Sequence, residues 1–252
     1  MTLTAYVQAG TLDGYLSRSC YAVARDLARM GYRIRPFTPG NQPLTVSPDT
    51  PVKGCTACVK AIYERTFNRP YPNVDIPAPL KPFARRKVWQ TTLGALRAQE
   101  RAQPRSTRDV FVKPLIDPKA FKGGPFDHRA AELMYHPDDY PILAQERIRF
   151  GPELRIFVGP RGVQAQPSLL DPQHRELIPH ARAMYHAWKD RAPKAYVMDV
   201  AWTYHTPARQ PALVEINSIL TAGNLDDTRN PGELTLAAWK SYVHYAEHGR
   251  FR

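Results

Sequence analysis

The chain has 252 residues, a hydrophobic content of 43%, 25 prolines and a formal net charge of +12 at pH 7. This composition supports a packed core and, because charges of both signs are interspersed, excludes a mainly disordered protein. No apolar run approaches the about 20 residues that cross a bilayer, so no membrane partner is expected. The N-terminus lacks the basic and apolar segments of a signal peptide, and a cytoplasmic location is expected.

The excess of positive charge leaves several classes of partner open. Such a surface attracts nucleic acid, acidic proteins or phosphorylated ligands, so nucleic acid is retained as a candidate partner. Three cysteines are too few for a disulfide framework. Cys55 and Cys58 form a CxxC pair but lack the two further ligands of a zinc site, and their spacing favours small buried residues of a helix.

The first third of the chain has the pattern of a small α/β domain. Residues 3–8 and 32–37 are predicted strands, and residues 13–30 between them are a predicted helix that ends at a glycine. This β-α-β order indicates a parallel pair of strands. A further helix is predicted over 52–67. The segment 68–82, which carries five prolines, is predicted to be a linker or an ordered loop.

The remainder alternates predicted strands and helices. Two strands carry the residues of most interest, at 109–114 and 151–158, and a loop with two adjacent glycines follows the first of them. The other predicted elements are helices at 87–101, 130–135, from 179 and at 231–248, and strands at 141–148, 163–166, 196–202 and 212–217.

The last two strands are predicted to form a hairpin that bears polar side chains. If Trp202 lies opposite Ala212, Asp199 falls opposite Glu215, and Asn217 shares the face of Glu215. Three oxygen ligands would then converge, which suits Mg²⁺. On the hairpin alone, a half-buried sheet with scattered polar residues explains the pattern equally well.

Basic residues accompany the glycine loop. Lys113 ends the strand 109–114, and Lys119 and Lys122 lie in the loop 117–125 beside Gly123 and Gly124. Glycines allow backbone N–H groups to approach an anion closely, and lysines add positive charge. Together these residues indicate a phosphate-binding segment.

The order of these segments resembles the ATP-grasp family over residues 85–227. The likeness is closest to a phage- and bacteria-associated clade in which arginine replaces the first of two nucleotide-binding lysines. It is carried by residues 82–94 (PFARRKVWQTTLG), 112–114 (VKP) and 119–123 (KAFKG). The resemblance implies two α+β lobes that enclose ATP, preceded by a small α/β domain.

The domain boundaries that follow from the resemblance are an α/β domain over 1–84 and an ATP-grasp domain over 85–252. Within the second, the N-lobe is expected over about 85–145 and the C-lobe over about 146–252. The fold class expected is therefore α/β and α+β, with ATP bound between the lobes.

The resemblance also implies roles for the basic residues. Lys113 matches the lysine that contacts the α- and β-phosphates. Arg86, in preference to Arg85, is expected in place of the other family lysine, because a guanidinium can bind two phosphate oxygens. In the glycine loop both Lys119 and Lys122 match, and Lys122 is preferred as a catalytic residue.

Further roles fall on the linker and on the strand after it. The backbone of Glu146, Arg147 and Ile148 is expected to bind adenine, and Glu153 matches the residue that accepts hydrogen bonds from ribose. Arg155 shares the strand face of Glu153 and is expected to bind phosphate or an acyl phosphate as a catalytic residue. The alternative for these two charged residues is a salt bridge on a solvated face.

The function implied is that of an ATP- and Mg²⁺-dependent carboxylate–amine ligase that forms an acyl phosphate, with Asp199, Glu215 and Asn217 as metal ligands. Two alternatives remain: a small-molecule kinase, and a basic nucleic-acid-binding protein with a nucleotide site. The sequence departs from many relatives after Asn217, where the expected glycine is delayed to Gly223. The identity of the acid and the amine therefore stays open.

Overall fold

The structure, a computed structural model, describes residues 3–10, 17–116, 120–127, 130–165, 171–204 and 208–251. Within these residues the strands form three sheets: a three-stranded sheet near the N-terminus and two four-stranded sheets that follow it. The order of the elements along the chain positions the site between the two larger sheets.

The N-terminal sheet is parallel, as the β-α-β pattern predicted. Its strands are ordered β2-β1-β3, and both pairs are parallel. Two helices accompany it, and the hydroxyl of Ser17 caps the first by accepting from the Cys20 N–H at 3.2 Å. The elements are β1 (Thr4–Gln8), α1 (Arg18–Arg29), β2 (Arg33–Phe37), β3 (Val52–Lys53) and α2 (Thr56–Phe67).

The helix predicted over 52–67 was wrong at its start. Val52 and Lys53 form a short strand beside β1, with Tyr6 opposite Val52. Both residues are buried there, so pairing with the sheet outweighs the local helical pattern. The early part of the helix predicted over 13–30 lies outside the described residues, and the helix observed begins at Arg18.

The helix predicted over 87–101 was also wrong in its first turn and a half. A short 3-10 helix at Ala78–Ala84 leads to strand β4 (Val88–Thr92), and helix α3 (Leu93–Ala102) follows directly. Aromatic and β-branched residues favour the strand. Thr92 ends it and caps α3, because its hydroxyl accepts from the Ala95 N–H at 3.2 Å.

The second sheet, with the order β4-β7-β5-β6, is antiparallel throughout. Its apolar face and α3 enclose a core of their own, which includes Leu93, Val112 and Ile142. The remaining elements of this N-lobe are β5 (Val110–Pro114), β6 (Gly124–Pro125), α4 (Ala131–Met134) and β7 (Pro141–Glu146).

The third sheet, with the order β11-β10-β8-β9, is also antiparallel. Every residue of its strand β10 is buried, which fits a strand between two others. The elements of this C-lobe are β8 (Phe150–Gly159), β9 (Gly162–Ala165), α5 (Pro172–Arg175), α6 (Ile178–Trp188), β10 (Tyr196–Thr203), β11 (Gln210–Ser218), a 3-10 helix at Leu225–Asp227 and α7 (Pro231–His248).

The last helix, α7, has the bounds predicted from the sequence, with Pro231 in its first turn and Gly249 after its end at φ 70°. It packs against α1, and the Gly232 N–H donates to Asp26 Oδ2 at 2.8 Å. Trp239 of α7 belongs to a core shared by the N-terminal sheet and the C-lobe sheet. The C-terminus thus packs against the N-terminal domain.

Among the described residues, no helix combines the length and the apolar character needed to cross a bilayer.

Candidate functional site

The hairpin of β10 and β11 brings the three predicted metal-binding residues together, but by a different register from the one expected. Trp202 lies opposite Pro211, so the prediction that it faces Ala212 was wrong. A bulge restores the lower part of the hairpin. Val200 pairs with Leu213 and Asp199 with Glu215, which leaves Val214 as the extra residue.

Hydrogen bonds connect the three side chains. The Asn217 amide donates to Glu215 Oε1 at 2.7 Å and to Asp199 Oδ2 at 3.4 Å. On the other side Arg155, which pairs with Asp199 across the strands, donates from Nε to Oδ1 at 2.8 Å and from Nη2 to Oδ2 at 2.7 Å. Asp199 is almost fully buried, with 2% of its side chain exposed. Its charge is therefore held by a bidentate partner.

Lys113 approaches the same cluster from the N-lobe. Its Nζ lies 2.6 Å from Glu215 Oε2 and 3.2 Å from Asp75 Oδ2. The other oxygen of Asp75 accepts from the Ile216 N–H at 3.3 Å. Sequence reasoning missed Asp75, since it is a lone acid in a proline-rich segment without periodicity. The side chain joins that segment to both lobes.

The charges in this cluster shift one another's pKa values. Burial opposes ionisation of Glu215, but Lys113 outweighs it and holds the pKa of that carboxyl below its usual range. Burial raises the pKa of Asp199 despite Arg155, and that of Asp75 despite Lys113. For Lys113, burial is outweighed by the two carboxylates beside it, so its pKa is raised.

Two cavities meet at this cluster, and Phe111, Lys113 and Glu215 line both. The smaller, of about 450 Å³, lies between the lobes, and the larger is about 530 Å³. The smaller cavity gathers most of the residues expected to bind nucleotide: Arg86, Glu146, Arg147, Ile148 and Glu153, with Gln145, Phe150 and Val214.

The linker between the lobes runs along the smaller cavity. The Glu146 N–H donates to the Lys87 carbonyl at 2.9 Å, and the Arg147 N–H donates to the Asp109 carbonyl at 2.6 Å. The Ile148 N–H makes no backbone hydrogen bond to another described residue. The linker is thus fixed by neighbouring strands while one of its donors faces a cavity that also has an aromatic wall.

Arg86 lines this cavity, whereas Arg85 does not. Arg85 is exposed and ends a 3-10 helix in the left-handed region at φ 55°. Glu153 is exposed at the cavity's edge, and burial together with the negative charge of Asp199 raises its pKa. Arg155 bonds Asp199, so the predicted alternative of a solvated pair with Glu153 does not describe its hydrogen bonds.

The glycine loop contributes to the larger cavity. Lys122 lines that cavity, and Lys119 lies outside the described residues. Gly123 approaches the strand behind it closely: a Cβ there would lie 3.1 Å from Lys113 Cγ and 3.3 Å from the Phe111 ring. The loop therefore packs directly against the strand that bears Lys113.

The donor atoms suit a hard divalent cation in chemistry. Carboxylate and amide oxygens are the ligands that Mg²⁺ prefers, and Asp199, Glu215 and Asn217 supply them from adjacent strands. Asn217 must turn its amide so that the oxygen replaces the nitrogen. In the described part of the chain, no group of three or more His, Cys, Asp or Glu side chains is arranged to hold a metal. The set depends on the amide.

Comparison with known proteins identifies the fold. The model of an ATP-grasp domain, which describes family 2 of one clade of the superfamily, matches residues 83–231. No curated protein matches the sequence of the chain. The structure resembles an ATP-grasp RimK domain protein from Sphaerobacter thermophilus, with 16% identity, a TM-score of 0.52 and coverage of 97% of this chain and 99% of the other.

Two ligase structures are similar to the same degree. The D-alanine–D-alanine ligase of Coxiella burnetii is 14% identical, with a TM-score of 0.52 and coverage of 97% of both chains. The VanG D-Ala:D-Ser ligase of Enterococcus faecalis is 11% identical, with a TM-score of 0.51 and coverage of 98% of this chain and 100% of the other. At these identities the likeness establishes the fold alone. With more than half of the chain matched by the family model, the protein belongs to that ATP-grasp family and is an ATP-grasp enzyme, as the sequence predicted.

Proposed function

We propose that the protein is an ATP- and Mg²⁺-dependent carboxylate–amine ligase that acts through an acyl phosphate. One observation carries this proposal: Lys113 and Glu215 lie in the wall shared by two cavities. One cavity offers room for a nucleotide, and the other offers room for a second reactant on the far side of the same charged groups. A phosphoryl group at that wall can be reached from both sides.

In the proposed complex ATP occupies the smaller cavity. The linker backbone and the aromatic ring of Phe150 suit the base, and the carboxylate of Glu153 suits the ribose hydroxyls. The phosphates extend toward Lys113 and Arg155, the cations that now neutralise Glu215 and Asp199. Their positive charges stabilise the negative charge of a transferring phosphoryl group.

The metal site proposed is that of Asp199, Glu215 and Asn217. When bound there, Mg²⁺ neutralises the charge of the β- and γ-phosphates. Asp199 and Glu215 stay ionised next to their cations, since Arg155 donates two hydrogen bonds to the first and Lys113 one to the second. The strands hold all three side chains at fixed positions, so little reorganisation is needed.

The larger cavity is proposed to bind the acid and the amine. A carboxylate oxygen attacks the γ-phosphorus, the bond to the β-phosphate oxygen breaks, and ADP leaves. The amine nitrogen then attacks the acyl carbon, loses a proton and expels phosphate, which leaves an amide bond. Lys122 and Asp75 line this cavity with opposite charges, which suits a reactant that carries both signs.

Two further features bear on the choice of reaction. The D-alanine–D-alanine and D-Ala:D-Ser ligases, with which this chain shares its fold, are named for joining an acid to a second substrate. The second cavity, at about 530 Å³, is roomy enough for two small reactants or the end of a peptide. Both features favour a ligase over a kinase.

The test is a screen of ADP release over amino acids, peptides and nucleotide acceptors. A ligase sustains ADP release only when acid and amine are both present, and its product contains neither phosphorus nor free acid. Stable phosphorylated product from a single substrate would establish the kinase instead. Absence of turnover with all acceptors, together with salt-sensitive binding of DNA or RNA, would favour the nucleic-acid-binding alternative.

We also propose the division of the chain into an α/β domain over 1–84, an N-lobe over about 85–145 and a C-lobe over about 146–252. The family match begins at residue 83, close to the first boundary. Because α7 shares a core with the N-terminal sheet, the first domain is expected to fold only together with the C-lobe. Limited proteolysis tests this, since cleavage near residue 84 should leave the two parts associated.

A further inference from the structure

Arg86 uses all of its hydrogen-bond donors within the protein. Its Nε and Nη2 both donate to Gln145 Oε1, at 2.9 and 2.7 Å. Its Nη1 donates to the carbonyls of Ala84 and Leu213, at 2.9 and 2.7 Å, and Nη2 also donates to the carbonyl of Val214, at 2.7 Å. A guanidinium has five N–H groups, so none remains for a ligand without the loss of one of these bonds.

The two β11 carbonyls bound by Arg86 belong to the bulge. Leu213 is the last residue above it, and Val214 is its extra residue. Without the bulge, continuation from Leu213 would place Val214 opposite Asp199 and would turn the side chain of Glu215 to the other face of the sheet. The bulge therefore decides whether Glu215 and Asn217 share a face with Asp199.

An arginine suits this position for physical reasons. Its guanidinium lies 5.0 Å from the centre of the Phe150 ring, which adds a cation–π contact. Burial lowers its pKa to about 10, and the negative charges of Asp75 and Glu215 oppose that fall, so the group is charged at neutral pH. A lysine offers three donors from one nitrogen and reaches fewer of the four acceptors at once.

We propose that Arg86 is a positioning residue that holds the β11 bulge, and thereby Glu215 and Asn217, instead of binding phosphate as the resemblance implied. This inference rests on the proposed metal site, because its functional consequence is the placement of two of the proposed ligands. The arginine acts on the metal through the strand, whereas Lys113 acts on the phosphates directly.

The experiment measures the affinity of nucleotide with and without metal. Calorimetric titration of ADP in EDTA, and of a non-hydrolysable ATP analogue with and without Mg²⁺, is carried out on the wild type, Arg86→Lys and Lys113→Met. We expect Arg86→Lys to retain ADP affinity in EDTA within about threefold and to lose about tenfold or more of the gain that Mg²⁺ provides. Lys113→Met provides the reference for a phosphate ligand, with loss of affinity in both conditions.

Hydrogen exchange of the nucleotide-free protein supplies a readout that does not require metal. Arg86→Lys and Gln145→Leu, which removes the acceptor of two of the five bonds, are expected to speed exchange by about tenfold or more in the peptide that covers 212–216. Gln145→Leu also retains the charge of Arg86, so it serves if the arginine variant does not fold.

The two proposals fail in different ways. A wild type without any gain from Mg²⁺, but with faster exchange at 212–216 in the variants, would overturn the metal site and keep the role of Arg86 in the bulge. Unchanged exchange at 212–216, together with loss of ADP affinity in EDTA by Arg86→Lys, would overturn the positioning role and make Arg86 a phosphate ligand.

Discussion

Lys113 and Glu215 form an ion pair, with Nζ 2.6 Å from Oε2, at the wall between the two cavities. The pair joins a residue proposed to bind phosphate to a residue proposed to bind metal. Charged ligands entering either cavity meet a partner of opposite sign, and each must compete with the existing pair. Substitutions at these two positions are therefore expected to separate nucleotide binding from turnover.

Substitution of Lys113 tests the nucleotide site. ATP with Mg²⁺ should raise the melting temperature of the wild type, since a ligand at about 100 times Kd adds about 2.7 kcal/mol to the free energy of unfolding. Lys113→Ala is expected to abolish most of this shift. The matched control is Lys60→Ala, on a helix surface away from the lining of both cavities. Equal shifts in the wild type and Lys113→Ala would remove Lys113 from the site.

Substitution of Glu215 tests the metal cluster. Glu215→Gln retains the size of the side chain and removes one charge, so folding and nucleotide binding should persist while ADP formation falls by about 10² to 10⁴. Steady-state rates at saturating ATP measure the loss.

The double variant Asp199→Asn, Glu215→Gln extends this test. It should be little slower than the slower single variant, because residues that act as one unit are not additive. Near-wild-type ADP formation by folded Glu215→Gln would leave the cluster a structural one and would withdraw the main support for the ligase proposal.

Gly123 and Gly124 offer a matched pair of substitutions. A Cβ at Gly123 would meet Lys113 Cγ at 3.1 Å, whereas a Cβ at Gly124 has no atom closer than the Lys122 carbonyl at 3.9 Å. Gly123→Ala should displace the strand bearing Lys113 and weaken nucleotide binding by about tenfold, and Gly124→Ala should bind within about twofold of the wild type. Titration of ADP measures both. Similar affinities in the two variants would show that the close packing of the loop does not position Lys113.

Lys53 makes the stability of the fold depend on pH. It is fully buried and donates to the carbonyls of Ile219 and Ala222, at 3.1 and 2.5 Å, in the loop after Asn217. Burial lowers its pKa from 10.5 to about 8. Between these pH values the unfolded chain holds the proton more strongly, so the free energy of unfolding should rise with pH, by about 2–3 kcal/mol from pH 8 to 10.

The control for this prediction is Lys53→Met, in which the rise should disappear. Denaturant titrations at several pH values measure both proteins, and the range stops at pH 10 because burial raises the pKa values of Tyr71 and Tyr242 above that of free tyrosine. Parallel pH profiles in the two proteins would contradict a lowered pKa at Lys53.

The sequence was sufficient for the fold and for much of the cluster, because those features depend on local patterns. Helix α7 was predicted at its observed bounds, and the ATP-grasp fold was confirmed. Asp199 and Glu215 were predicted to face each other because they lie equally far from the ends of two recognisable strands. Their roles in binding metal remain predictions.

Other features depended on contacts that no local pattern records. The bulge at Val214 relies on hydrogen bonds from Arg86, which is far away in sequence. Strand β3 has only two residues, too few for a period to show. Asp75 reaches the site because its segment folds across the lobes, and that path is set by tertiary packing.

Phe111 and Lys113 belong to the walls of both cavities, and they sit on a sheet whose apolar core is separate from that of the C-lobe. Any displacement of this sheet alters both cavities in the same step. The affinities of the two sites are therefore expected to be coupled, and thermodynamics requires such coupling to be reciprocal. An acceptor that tightens ATP binding by a given factor must itself bind more tightly, by the same factor, once ATP is present.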